Sequence, residues 1–182
     1  MSASHLTRRL TRGARALTAS GTMRKRAVPM LALVIACAGV GTAMATMPSG
    51  IAVTTFVRAP LGADKPNGGV KASADQVQLH TKGATDVAVQ TITSPPGGSS
   101  GWHSHPGVVL VAVQSGTVTL YDQDCHTTQY GAGQAFVEVG DEPSLVRNNT
   151  TSNAVLYVTL IVPSSATSLR IDKPQPADCA AR

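Results

Sequence analysis

His103 and His105 stand one residue apart at the entry to an apolar run, inside the stretch Gly97-Gly98-Ser99-Ser100-Gly101-Trp102-His103-Ser104-His105-Pro106-Gly107. Alternate side chains of an extended backbone share a face, so two imidazoles at this spacing address one space. They can hold one metal ion or one ligand between them. Trp102, the single tryptophan of the chain, adjoins the pair. It is read either as lining a pocket mouth or as packing the end of the fold.

Other chemistries find little support. The sequence has no phosphate-binding loop, no Cys-x-x-Cys pair and no basic stripe with interleaved aromatics after the first 45 residues, which argues against nucleic acid as a partner. The net charge of +5 over 182 residues is misleading because of where it sits. Residues 1–45 carry seven basic side chains, from Arg8 to Arg26, and no acid, whereas from Thr46 onward eight basic face ten acidic residues. The remainder is therefore mildly acidic.

The elements that must position the histidines read as strands. After residue 50 no long 3.6-residue periodicity appears, and Val, Thr and Ile fill short runs bounded by Gly, Pro, Asn and Asp. Strands are expected near 51–58, 76–80, 85–93, 102–104, 108–113, 116–121, 134–139, 144–148, 153–162 and 168–171. Gln114-Ser115-Gly116 reads as a tight hairpin, and Gly131 to Gly133 as a second sharp turn. Short strands with a turn every ten residues or so indicate an all-β sandwich or barrel.

The basic segment and the apolar run Ala27 to Ala45 have the layout of an export signal, with Ala43-Met44-Ala45 as its small-residue exit. Met23, followed by Arg24-Lys25-Arg26, would open a signal of ordinary length. Two alternatives stay open: lipid attachment at Cys37, and an uncleaved membrane-anchoring helix. Each places the domain outside the cytoplasm, with membrane contact only through this segment. The expected organisation is a signal or anchor over 1–45, an N-terminal extension with an edge strand over 46–75, a barrel over 76–172 and a tail over 173–182. Beyond the leader only Cys125 and Cys179 remain. In an oxidising compartment that pair reads as a disulfide, two free thiols being the alternative. It would tie the tail to the barrel.

Over Asp86 to Tyr121 the sequence resembles small exported bacterial proteins of the cupin superfamily. The first cupin motif, G-x5-H-x-H-x3-4-E-x6-G, falls on Gly97, His103, His105 and Gly116, with Val109 at the glutamate. The second, G-x5-P-x-G-x2-H-x3-N, keeps Gly133 and Asn148 but has Val139, Asp141 and Ser144 at the proline, glycine and histidine. The resemblance implies a double-stranded β-helix, a jelly-roll barrel that binds its ligand inside. It further implies a site of three histidines and a carboxylate for iron, manganese, nickel or zinc, of which two ligands are kept here.

Glu138 or Glu142 would complete a two-histidine, one-carboxylate arrangement. The plainer reading makes both glutamates solvated charges near the Gly140-Asp141 turn, and makes His80 and His126 surface residues. Trp102, Val109 and Ser144 are the expected pocket residues. Without an ion, the two histidines would hydrogen-bond to each other's backbone or to Ser144. Two functions follow from different classes: a barrel binding a small molecule or divalent metal, with oxygenase, isomerase or decarboxylase chemistry if it is an enzyme, or a metal-free ligand-binding or envelope-associated module. A homodimer is a further expectation, through edge strands or through the apolar run Ala154 to Val162, which burial within one barrel explains as well.

Overall fold

The computed structural model describes residues 44–65 and 68–179. The expected leader up to Ala43, including Cys37, lies outside the described residues. Within them the chain is all β, and no helix is long and apolar enough to cross a membrane.

The strands are β1 (Ala52–Leu61), β2 (Lys71–Ala74), β3 (Val77–His80), β4 (Thr85–Ser94), β5 (His103–Ser104), β6 (Val108–Ser115), β7 (Thr117–Tyr121), β8 (Thr127–Gly131), β9 (Ala135–Val139), β10 (Leu145–Arg147), β11 (Ala154–Pro163) and β12 (Ile171–Asp172). Five form one sheet in the order β1-β4-β11-β6-β9, and three form a second in the order β10-β7-β8. Strand β5 pairs with β12, and β2 with β3. Every ladder is antiparallel.

The core lies between the two larger sheets. The inward positions of the five-stranded sheet are Ala88 on β4, Val109, Val111 and Val113 on β6, Phe136 on β9, and Leu156, Val158, Leu160 and Val162 on β11. Val118 of the smaller sheet closes on them, with Leu120, Tyr130 and Val146 half-buried behind it. Alternation along β11 is complete, with Ala154, Leu156, Val158, Leu160 and Val162 buried and the residues between them more exposed. That strand is central in its sheet, between β4 and β6. The apolar run 154–162 is therefore a core strand and offers no edge for pairing between copies.

The expected hairpin at Gln114-Ser115-Gly116 is instead a crossover. Strand β6 pairs with β11 and β9, whereas β7 pairs with β10 and β8, so the chain changes sheet at Gly116. Gly116 has φ +75°, and a Cβ there would lie 2.4 Å from the Asn153 carbonyl oxygen. Only glycine fits both the backbone angle and the close approach. The turn after β8 likewise carries the chain between sheets, with Gly133 at φ +83°.

Strands β2 and β8 were not expected. Their sequences, Lys-Ala-Ser-Ala and Thr-Thr-Gln-Tyr-Gly, carry no apolar alternation because their side chains are largely exposed. Cys125 and Cys179 form a disulfide with a Cα–Cα distance of 5.4 Å. It ties the C-terminal segment to the turn between β7 and β8.

Candidate metal centre

Three buried side chains, His103, His105 and Glu138, bring one ligand atom each within 4.8 Å of one another. His103 comes from β5, His105 from just after it, and the carboxylate from β9. Strand β5 is short, yet it is held on both sides. His103 N–H donates to the Ser144 carbonyl at 2.9 Å and Ser144 N–H donates back to the His103 carbonyl at 2.8 Å. On the other side Ile171 and Asp172 of β12 pair with Ser104 and His103.

The ring nitrogens are tied to backbone carbonyls, not to the Ser144 side chain, and the two rings meet edge to face with centroids 4.8 Å apart. His103 Nδ1 lies 3.0 Å from the Gly101 carbonyl oxygen, and His105 Nδ1 lies 2.7 Å from that of Leu169. A carbonyl only accepts, so both bonds require a proton on Nδ1, and in a neutral ring they leave Nε2 with a free lone pair. Carbonyl-tied Nδ1–H with Nε2 bare is the state in which imidazole binds a metal. Burial, and after it the Arg170 charge, pushes the His103 pKa down to about 3, so this ring is neutral at pH 7.

His105 Nε2 is buried and has no hydrogen-bond partner. It faces Glu138 Oε2 at 3.7 Å, too far for a hydrogen bond. In the neutral Nδ1–H tautomer the two atoms present lone pairs to each other, an arrangement that a cation between them would relieve. Nitrogen and oxygen ligands of one ion, each about 2.1 Å from it, stand about 3.0–3.4 Å apart at right-angled to tetrahedral geometry. The observed separation closes on an ion with a small side-chain adjustment, and the donor set fits a divalent transition metal.

Glu138 is therefore not a solvated strand-edge charge. Its side chain is 8% exposed, and its Oε1 accepts a hydrogen bond from the Ser144 hydroxyl. That bond leaves Oε2 toward the histidines. Glu142 is exposed and lines a surface cleft with Asp122 and Asp124, which Glu138 and Ser144 also border. His80 is exposed on β3, and His126 is exposed beside Asp122. Behind the site, Lys173 and the Ser104 hydroxyl both bond Asp141 and hold its carboxyl below the usual range.

The three ligands open into a cavity of about 60 Å³ inside the barrel. Its walls are mainly Ile92, Val111, Phe136, Leu156 and Val158, with Gln90, Ser94 and Ser100 as polar groups. At roughly 10–15 Å³ per water-sized occupant, this accommodates an ion with a few waters or a ligand of a few heavy atoms. The expected pocket residues fall elsewhere. Val109 is fully buried in the core, Ser144 stands behind Glu138, and Trp102 lines another cavity of about 180 Å³ beside the disulfide.

Gln90, Ser94, Ser100 and the Leu169 carbonyl escaped the sequence analysis. Gln90 was detectable, as the one large polar residue in phase with Ala88 and Ile92. A backbone carbonyl leaves no trace in a sequence. The letters Gly97-x-Ser99-x-Gly101 match a nucleophile elbow, but no helix follows, and Ser99 Oγ accepts from Gly101 N–H at 3.1 Å. Asn148, within overlapping glycosylation sequons, is fully buried and donates to the carbonyls of Ser94 and Ser152.

A cupin-domain family model matches residues 90–161, the span from β4 through β11 that builds this cavity. Residues 90–161 are a cupin domain. Three solved structures are similar to part of the chain. A cupin 2 conserved barrel domain protein from Leptotrichia buccalis is 20% identical over 62% of this chain and 41% of its own length, with a TM-score of 0.43. A conserved protein of unknown function from Streptococcus pyogenes is 20% identical over 43% of this chain and 67% of its own, with a TM-score of 0.40. A predicted oxalate decarboxylase from Thermotoga maritima is 19% identical over 44% of this chain and 83% of its own, with a TM-score of 0.38. This cupin chain has no match among curated proteins.

Proposed function

We propose that this cupin binds a divalent first-row transition metal through His103 Nε2, His105 Nε2 and Glu138 Oε2, and that a small organic ligand reaches it through the apolar cavity. The observation that carries this reading is His105 Nε2, buried and unpartnered, aimed at a carboxylate oxygen while its Nδ1 is tied to the Leu169 carbonyl. Two histidines and one carboxylate on one side of an ion leave positions open for a substrate, the pattern of non-haem iron sites. A metal there supplies Lewis acidity or a redox centre.

The chain's own residues prepare the site. The carbonyls of Gly101 and Leu169 hold both rings in one tautomer, and Ser144 orients the carboxylate. Phe136, Leu156 and Val158 exclude bulk water, and Gln90 offers the ligand an amide. The disulfide supports the expectation that this domain works outside the cytoplasm, where such bonds persist.

The test is metal titration of chelator-stripped protein with Fe(II), Mn(II), Ni(II) and Zn(II). We expect one equivalent per chain, lost in His105→Ala and in Glu138→Gln while the far-ultraviolet dichroism of the barrel is kept. Stripped protein that takes up none of the four at micromolar concentration overturns the metal reading and leaves the metal-free ligand-binding module.

A further inference from the structure

Residues 99–103 and strand β10 form a wall with a different cavity on each side. Successive side chains of extended backbone point to opposite faces. Along β10, Val146 borders the barrel cavity, whereas Leu145 and Arg147 border the cavity of about 180 Å³ behind it. Gly101, at φ +66°, breaks the same alternation. Ser100 and His103 therefore face the barrel, while Ser99 and Trp102 face the outer cavity.

Two further segments cover this outer cavity, Thr46 and Met47 on one side and Gln175 and Cys179 on the other. Thr46 N–H donates to the Lys173 carbonyl at 3.0 Å and joins them. The disulfide fixes the second segment, and both of its cysteines line the cavity. Close-packed interiors keep few voids larger than a water molecule. At roughly 10–15 Å³ per water-sized occupant, about 180 Å³ takes a ligand of about ten to fifteen heavy atoms. An inorganic anion would leave most of that space empty, and a nucleotide would exceed it.

The lining selects the chemistry. Among the described residues that border the cavity, Arg147 is the single formal charge and there is no carboxylate. A guanidinium carries five donors, enough to serve a ligand alongside other partners, and its fork matches a carboxylate. Trp102, 4% exposed, and Tyr121 offer aromatic surface to a planar ring. Leu145, Met47 and the disulfide add apolar wall.

We infer that this cavity is a second ligand site, for a small aromatic carboxylate whose ring lies against Trp102 and whose charge meets Arg147. None of its lining residues is a ligand of the proposed metal centre, so it stands whether or not a metal binds.

Titration of chelator-stripped protein with sodium benzoate tests the assignment. Trp102 is the single tryptophan, so every change in tryptophan emission arises at the wall of this cavity. We expect saturable one-to-one binding with a Kd below about 1 mM, ordinary for a ligand of this size. Benzamide, of the same shape without the charge, should bind the native protein at least tenfold more weakly, a comparison that needs no variant. Arg147→Gln should abolish that preference, and Arg147→Lys should keep most of it. No saturable binding up to 10 mM, equal affinities for benzoate and benzamide, or benzoate binding that survives Arg147→Gln and is lost in Glu138→Gln overturns the inference, the last by seating the ligand in the barrel.

Discussion

Val109 and Glu138 are directly paired across the β6–β9 ladder. Opposed residues of an antiparallel pair point to the same side of the sheet. Val109 occupies the position of the cupin carboxylate ligand, so Glu138 presents a carboxylate from the neighbouring strand to nearly the same space. Ser144, at the position of the family's third histidine, hydrogen-bonds Glu138. On the proposed metal reading the two departures from the family motif are joined: β9 would supply the carboxylate, and the Ser144 hydroxyl would orient it in place of the imidazole.

This relationship predicts a rescue. Glu138→Val should weaken metal binding about a hundredfold. The double variant Val109→Glu, Glu138→Val, which returns the carboxylate to the motif position, should recover to within about tenfold of the native protein. Competition titration against a chromogenic chelator reads both. Equal losses in the single and double variants would show that the two positions do not share one site.

The pH dependence of apo-protein stability follows from His103. Its pKa in the fold, about 3, lies below its unfolded value near 6.5. The unfolded chain therefore takes up a proton first as pH falls. The stabilisation from burying a neutral ring is whole above about pH 6.5 and is lost progressively toward pH 3, at up to about 1.4 kcal/mol per pH unit. Urea unfolding of chelator-stripped protein at pH 7, 6 and 5 should show this slope, and His103→Gln should flatten it. Parallel profiles for the two proteins would refute the assignment to His103.

The C-terminal segment links the disulfide to the proposed metal centre. From Cys179 it runs back through β12, which pairs with β5, to the Leu169 carbonyl that sets the His105 tautomer. Reduction, or the pair Cys125→Ala and Cys179→Ala, should lower the melting temperature; chain-entropy reasoning puts the bridge at roughly 4 kcal/mol as an upper value. It should also weaken metal binding severalfold, through the loosened carbonyl. A melting temperature indifferent to dithiothreitol would dismiss both effects.

Much of the fold was legible because its punctuation is glycine and its strands are short Val, Thr and Ile runs. The crossover at Gly116 was misread as a hairpin because a tight turn looks alike whether or not the strands it joins are paired. The site was half legible. His103 and His105 are marked by spacing, but the alternation in Ala135-Phe136-Val137-Glu138-Val139 points the wrong way. Three apolar residues against one phenylalanine and one glutamate favour burying Val137 and Val139, whereas the structure buries Phe136 and Glu138. The pattern misleads because the outer face of this sheet is itself apolar. Strand periodicity identifies the inner face only when the outer one is polar.

Two glycines separate backbone strain from steric exclusion. Gly133 and Gly116 both have positive φ, but a Cβ at Gly133 meets nothing within 4 Å, while one at Gly116 collides with the Asn153 carbonyl and Ala154. Gly133→Ala should cost about 1 kcal/mol, the penalty of a left-handed backbone alone. Gly116→Ala adds a clash with the backbone leading into β11, at the corner where the chain passes between sheets, and should cost more than about 3 kcal/mol. Chemical denaturation of the two variants side by side checks the ordering. Equal costs would mean that the chain at Asn153 yields freely, and that the crossover is not held by contact with the start of the central strand.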